Sequence, residues 1–222
     1  MEFKDLTNKQ RQQVRNRLRS LYSSEEIKSF DSEVYDDTIV ANAFGNYEPG
    51  LTPALNTITQ GTGLDNAIGR KYWIRELNIR GKFRFLPSAT DATQPTIRMI
   101  LYVDRFTNGT GSGGTGGLAT LLQDTSSTAN RILAFQNLSN SDRFDVLTDR
   151  TYVLRPTANV ASTEQADYTQ QFSHYLKLDS RCYECILPPS SSIPTNFSIR
   201  LGVISTSSSV KLDYTYRIRF SG

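Results

Sequence analysis

The stretch Arg70–Phe85, RKYWIRELNIRGKFRF, is rich in aromatic and branched side chains, has one glycine and no proline, and reads as a long strand. Side chains alternate between the two faces of a strand. Trp73, Leu77, Ile79, Phe83 and Phe85 then share one face with Arg75 and Gly81. Arg80, Lys82 and Arg84 share the other with Tyr72, Ile74 and Glu76. The C-terminal half is apolar on one side and cationic on the other. A sandwich strand requires one buried face, but not three successive cations opposite it.

The last stretch, Val210–Phe220 (VKLDYTYRIRF), repeats the pattern. Val210, Leu212, Tyr214, Tyr216, Ile218 and Phe220 alternate with Lys211, Asp213, Thr215, Arg217 and Arg219. If the two strands are neighbours, one sheet presents a basic surface of Arg80, Lys82, Arg84, Lys211, Arg217 and Arg219. Charged outer faces are the rule in water, so alternation alone does not separate this surface from an ordinary solvated one.

The chain has 222 residues, enough for one large all-β domain or two small ones. The net charge of +3 is mild, but its distribution is uneven. Met1–Arg19 carries six Lys/Arg and two acids, and Ser20–Val40 one Lys and six acids. No apolar secretory core opens the sequence. No run approaches the ~18 consecutive apolar residues of a membrane helix, so no membrane partner is expected. Two cysteines make no disulfide framework.

Thr7–Tyr22 is the one convincing helix. Val14, Leu18, Leu21 and Tyr22 form a narrow apolar stripe, and Arg11, Arg15 and Arg19 a separate basic one. This is either a solvated surface helix or a basic arm for nucleic acid or an anionic membrane. Residues 25–59 read as an extended connector, interrupted by Pro49 and Pro53, with at most one short added strand. From Lys71 the period is two. Strands are expected at Lys71–Phe85, Thr96–Phe106, Arg131–Gln136, Phe144–Leu154, Gln171–Asp179, Arg181–Leu187, Asn196–Thr206 and Val210–Phe220, the last two as a hairpin through Ser207–Ser209. One helical turn fits Leu118–Gln123. Connections rich in Gly, Ser, Thr, Asn and Pro complete a sandwich or jelly roll.

Nothing in this pattern argues for catalysis. Gly111, Gly113 and Gly116 satisfy a dinucleotide-binding spacing, but no βαβ series follows, and a surface loop explains Thr107–Gly117. Cys182 and Cys185 are three apart, and on a strand they face opposite sides. Zinc wants four ligands, and His174 is the only histidine. A triad would need that histidine, and no nucleophile elbow is present. Asp142/Asp145 and Asp36/Asp37 are explained by loop solvation. The chain is expected not to be an enzyme and to hold no cofactor or metal.

An ordered series of motifs then narrows the reading. Glu26-Ile-Lys-Ser-Phe-Asp follows a basic segment, and Ile58-Thr-Gln-Gly-Thr-Gly and Ile68-Gly-Arg-Lys precede the long strand. Ile97-Arg-Met-Ile-Leu-Tyr-Val-Asp-Arg, Phe144-Asp-Val-Leu-Thr-Asp-Arg and Tyr214-Thr-Tyr-Arg-Ile-Arg-Phe come after it. From Glu26 to Phe220 the chain resembles the capsid proteins of small circular single-stranded DNA viruses. It is more distantly similar to the coat protein of satellite tobacco necrosis virus.

The resemblance implies an eight-stranded viral jelly roll with strands lettered B to I, in sheets B-I-D-G and C-H-E-F. Lettering the eight expected strands in order pairs the first with the last. It also implies self-assembly of about 60 copies into a T=1-like shell, whose heterologous contacts close into rings. The first sheet would face the shell interior. The expected organisation is a basic helical arm (1–24), a connector (25–59) and a shell domain (60–222). The acid-rich Glu25–Asp37 stretch is expected to pair with a neighbouring subunit. Single-stranded nucleic acid, DNA by the resemblance, would be held by Lys9, Arg11, Arg15, Arg17 and Arg19 of the arm and by Arg80, Lys82, Arg84, Lys211, Arg217 and Arg219 of the sheet. The expected location is the virion, and the host nucleus or cytoplasm during assembly. One departure stands out: the resembling proteins open with long Arg/Lys runs, and here there is only KQRQQVRNRLR. The competing reading is a non-viral jelly-roll binding module, such as a lectin or a trimeric ligand domain.

Overall fold

The computed structural model describes residues 26–41, 45–47, 54–85, 94–106, 121–123, 132–154, 168–181, 183–189 and 191–222. The helix expected over Thr7–Tyr22, with Lys9, Arg11, Arg15, Arg17 and Arg19, lies outside them, as do Thr107–Gly117 and Cys182.

Among the described residues the chain is nearly all β. Nine strands occur: β1 (Ile27–Thr38), β2 (Gly45–Asn46), β3 (Lys71–Phe85), β4 (Thr96–Asp104), β5 (Phe144–Val153), β6 (Tyr168–Lys177), β7 (Glu184–Ile186), β8 (Ser198–Ser205) and β9 (Val210–Ser221). They form two antiparallel sheets, one in the order β1-β9-β3-β6 with β7 also on β3, the other β2-β8-β4-β5. The core lies between them. Leu77, Ile79 and Phe83 of β3 and Leu212 and Ile218 of β9 belong to the same buried cluster as Met99, Leu101 and Val103 of β4 and Leu201 and Val203 of β8. Each such side chain contributes about 1.5–3 kcal/mol by leaving water. Gly81 lies on this inner face, where a Cβ would collide with the Asp213 carbonyl and the side chains of Tyr214 and Phe172.

The second sheet is covered on its other side as well. Ile100, Tyr102 and Phe144 pack there against Leu121, Leu122 and Ala134. Double burial explains why β4 and β8 read as nearly continuous apolar runs rather than alternating ones.

β3 has the expected bounds and pairs with the last strand. Other expectations need correction. The connector contributes β1, twelve residues paired along β9. Arg131–Gln136 is not a strand in its described part. The Arg98 guanidinium takes the Ile132 and Ala134 carbonyls at 3.1 and 2.6 Å, so a side chain serves acceptors that a ladder would have used. Gln136 makes one isolated bridge, to Leu122.

β8 and β9 are not a hairpin but belong to different sheets. The chain bends over through Ser205–Ser209, where the Ser205 and Ser207 hydroxyls each accept from the amide two residues on. Lettering from Lys71 also fails, because β5 pairs with β4 and not with β8, as that assignment requires. The simple alternation of β3 breaks at a bulge between Ile74 and Glu76. Two residues there oppose one and the faces exchange. Tyr72 and Ile74 are therefore buried, and Trp73 stands on the solvent side, opposite Ser221.

Candidate nucleic-acid interface

The solvent face of the first sheet gathers the cations of its strands. Arg80, Lys82 and Arg84 on β3 alternate with core residues, and so do Lys211, Arg217 and Arg219 on β9. The register sets Arg80 opposite Thr215, Lys82 opposite Asp213 and Arg84 opposite Lys211. All six positions singled out from sequence thus share one surface. The arm residues Lys9, Arg11, Arg15, Arg17 and Arg19 lie outside the described residues.

The surface is not simply basic. β1 brings Asp31 opposite Arg217. Their pairing is bidentate, Nε to Oδ1 at 2.7 Å and Nη2 to Oδ2 at 2.6 Å. β1 is irregular between Val34 and Asp37, and Asp36 there takes a left-handed φ of 56°, tolerable for aspartate. Its amide donates to Asp213 Oδ1 at 2.7 Å. Its carboxylate lies 2.7 Å from Arg84 Nη2 and 3.1 Å from Lys211 Nζ. Asp213, 7% exposed, accepts from Arg84 Nε at 2.7 Å and lies 3.7 Å from Lys82 Nζ. Arg219 reaches Glu76 at 3.2 Å.

The electrostatics follow this pairing. The hydrogen bond from Arg217 pulls the Asp31 carboxyl below its usual range, and those from Lys211 and Arg84 do the same to Asp36. Burial pushes Asp213 up, but the bonds from Arg84 and the Asp36 amide outweigh it and leave that carboxyl lowered. Arg84 is raised, chiefly by its bond to Asp213.

Arg80 differs from the rest. It is exposed and has no ion pair or hydrogen bond among the described residues. Two shallow open grooves meet beside it. One, of about 730 Å³, runs past Asp31, Glu33, Asn78 and Arg217, and the other, of about 380 Å³, past Tyr35, Lys82, Gln171 and Ser173. Tyr35 and Tyr175 are 64% and 52% exposed. Tyr175 stands opposite Asn78 on β6.

The cations are legible in the sequence but their acids are not: the acidic stretch is expected to pair with a neighbouring subunit, whereas Asp31 and Asp36 pair within the chain. No local spacing gives this pairing away: Glu33, two residues from Asp31, stands opposite Thr215, and Arg219, two residues from Arg217, reaches Glu76 instead.

The other candidates have partners among the described residues. The Asp145 carboxylate accepts from Arg181 at 2.6 Å and from the Tyr183 hydroxyl. Burial and that carboxylate push Tyr183 up to about 12. Cys185 is buried, and its thiol is pushed up to about 12. His174 Nε2 lies 3.0 Å from the Tyr152 hydroxyl.

No family model and no curated protein matches the chain. Among solved structures it is similar to the crystal structure of the infectious bursal disease virus VP2 subviral particle, at 10% identity and a TM-score of 0.30. That similarity covers 87% of this chain and 32% of the other, so the chain spans about a third of that protein's length.

Proposed function

We propose that the chain is a viral capsid protein with an eight-stranded jelly roll. Copies of it assemble into a small icosahedral shell and package single-stranded DNA against the solvent face of the first sheet, turned to the interior. The strand order carries this reading. Lettered from Ile27 rather than Lys71, with the three-residue β7 left unlettered, the sheets run B-I-D-G and C-H-E-F. These are the two orders that the capsid-protein resemblance over Glu26 to Phe220 implies. The shell domain then begins at β1, and the described face offers Arg80 and its neighbouring cations to phosphates. Binding through phosphates is largely independent of base sequence.

Light scattering after size-exclusion chromatography tests the assembly. A 25.0 kDa chain in about 60 copies gives a particle of about 1.5 MDa, visible by negative-stain microscopy. A protein that stays monomeric or trimeric across salt and pH overturns the reading in favour of a ligand-binding module.

A further inference from the structure

The basic sheet carries its own competitor. Of the six cations on β3 and β9 singled out from sequence, five are engaged by carboxylates of the same chain: Arg217 by Asp31, Arg84 by Asp213 and Asp36, Lys211 by Asp36, Lys82 by Asp213, and Arg219 by Glu76. Two of the β1 acids, Asp31 and Asp36, engage three of them. Asp31 meets the Arg217 guanidinium with two parallel bonds, the geometry in which arginine also grips phosphate. Asp36 spans Arg84 and Lys211 from a left-handed backbone position.

We propose that β1 acts as an internal phosphate mimic that sets how strongly this face binds nucleic acid. Arg80 takes the first phosphate. Further contacts form only as phosphates displace Asp31 and Asp36 from Arg217, Arg84 and Lys211. This rests on the nucleic-acid reading above and adds a regulation to it.

The physical basis is the exposure of the β1 acids: Asp36 is 62% exposed, although its partners Arg84 and Lys211 are only 19% and 25% exposed. Arg217 and Asp31 are 59% and 54% exposed. Exposed ion pairs contribute little and are screened by salt, so a polyanion can exchange with them. An exchanging cation gains a phosphate but releases an aspartate. It therefore adds less to binding than a cation that starts without a partner.

The test is a salt titration of a fluorescent single-stranded oligonucleotide on the full chain. Wild type is compared with Asp31→Asn, Asp36→Asn, Arg80→Gln and Arg217→Gln. Asp142→Asn is the control, because it makes the same charge change at an exposed loop position off this face. Asp31→Asn and Asp36→Asn are expected to tighten binding about two- to fivefold and to steepen the salt slope by up to about 0.7. Arg80→Gln flattens the slope by about 0.7, and Arg217→Gln changes it less. Circular dichroism and elution volume confirm that each variant folds. The proposal is overturned if Asp142→Asn tightens binding as much as Asp31→Asn, if neither β1 variant tightens it, or if Arg217→Gln costs as much as Arg80→Gln. Wild type that binds no oligonucleotide overturns the nucleic-acid reading itself, a separate outcome.

Discussion

Asn56 shows what one buried polar side chain holds together. It is fully buried, and its amide donates to the Phe197 carbonyl at 2.9 Å, to the Tyr72 hydroxyl at 3.3 Å and to Cys185 Sγ at 3.4 Å. Its Oδ1 accepts from the Ile199 amide at 2.8 Å, and its own carbonyl accepts from the Tyr72 hydroxyl at 2.7 Å. The loop before β3 is thereby fastened to β3, β7 and β8. Asn56→Ala leaves the Ile199 amide and the Phe197 carbonyl without these partners inside the core, at a cost of about 2–3 kcal/mol. Urea denaturation is expected to show that loss as a lower midpoint with an unchanged slope. A midpoint equal to wild type would show that water or other groups replace the amide. None of this was legible in the sequence. An asparagine among Leu55, Thr57 and Thr59 reads as an ordinary loop residue, because its four partners are brought together only by the tertiary fold.

Among the elements, β1 was the hardest to read. Its inward positions are Lys28, Phe30, Ser32 and Val34, of which only two are apolar. Lys28 is buried because its ammonium donates to the Gly63 and Asn66 carbonyls at 3.0 and 3.2 Å. The period-two signal is thus interrupted by long-range contacts that no local window contains. The bulge in β3 hid the face of Trp73 for a related reason, since alternation assumes an unbroken ladder. The bounds of β3 and its pairing with β9 were legible, because both strands bury one face with large apolar residues over most of their length. A chain starting at Thr38 removes β1, bares the outer ladder of β9 and uncovers the core beneath Phe30 and Val34. Exposed edges of this kind pair with other chains. The truncated protein is expected to elute as aggregate and to lose its cooperative thermal transition. A monodisperse, cooperatively melting product would show that β1 is an appendage and that the lettering from Ile27 is wrong.

For the whole molecule, the cationic face was legible but its neutralisation was not, because residues 31 and 217 meet only once the chain closes. The same closure sets the response to acid, which has two windows. In the upper one, His174 of β6 meets Tyr152 of β5, strands at the edges of opposite sheets. Burial, and then the charge of Arg150, pull the imidazole below 6.5. The unfolded chain therefore takes up a proton more readily than the folded one. Stability is full above pH 6.5, falls as the pH drops from there through the folded value, and levels off below it. In the lower window the carboxyls of Asp31, Asp145 and Asp213 lie below 3.8 in the fold. Their contribution is intact above 3.8 and is lost as the pH falls through the folded values. Urea midpoints of dissociated subunits, taken from about pH 8 to about pH 2.5, should fall in two steps separated by a plateau. His174→Gln should remove the upper step and leave the lower one. If the variant keeps the upper step, groups other than this histidine carry it, and the contact between the sheet edges does not respond to protons.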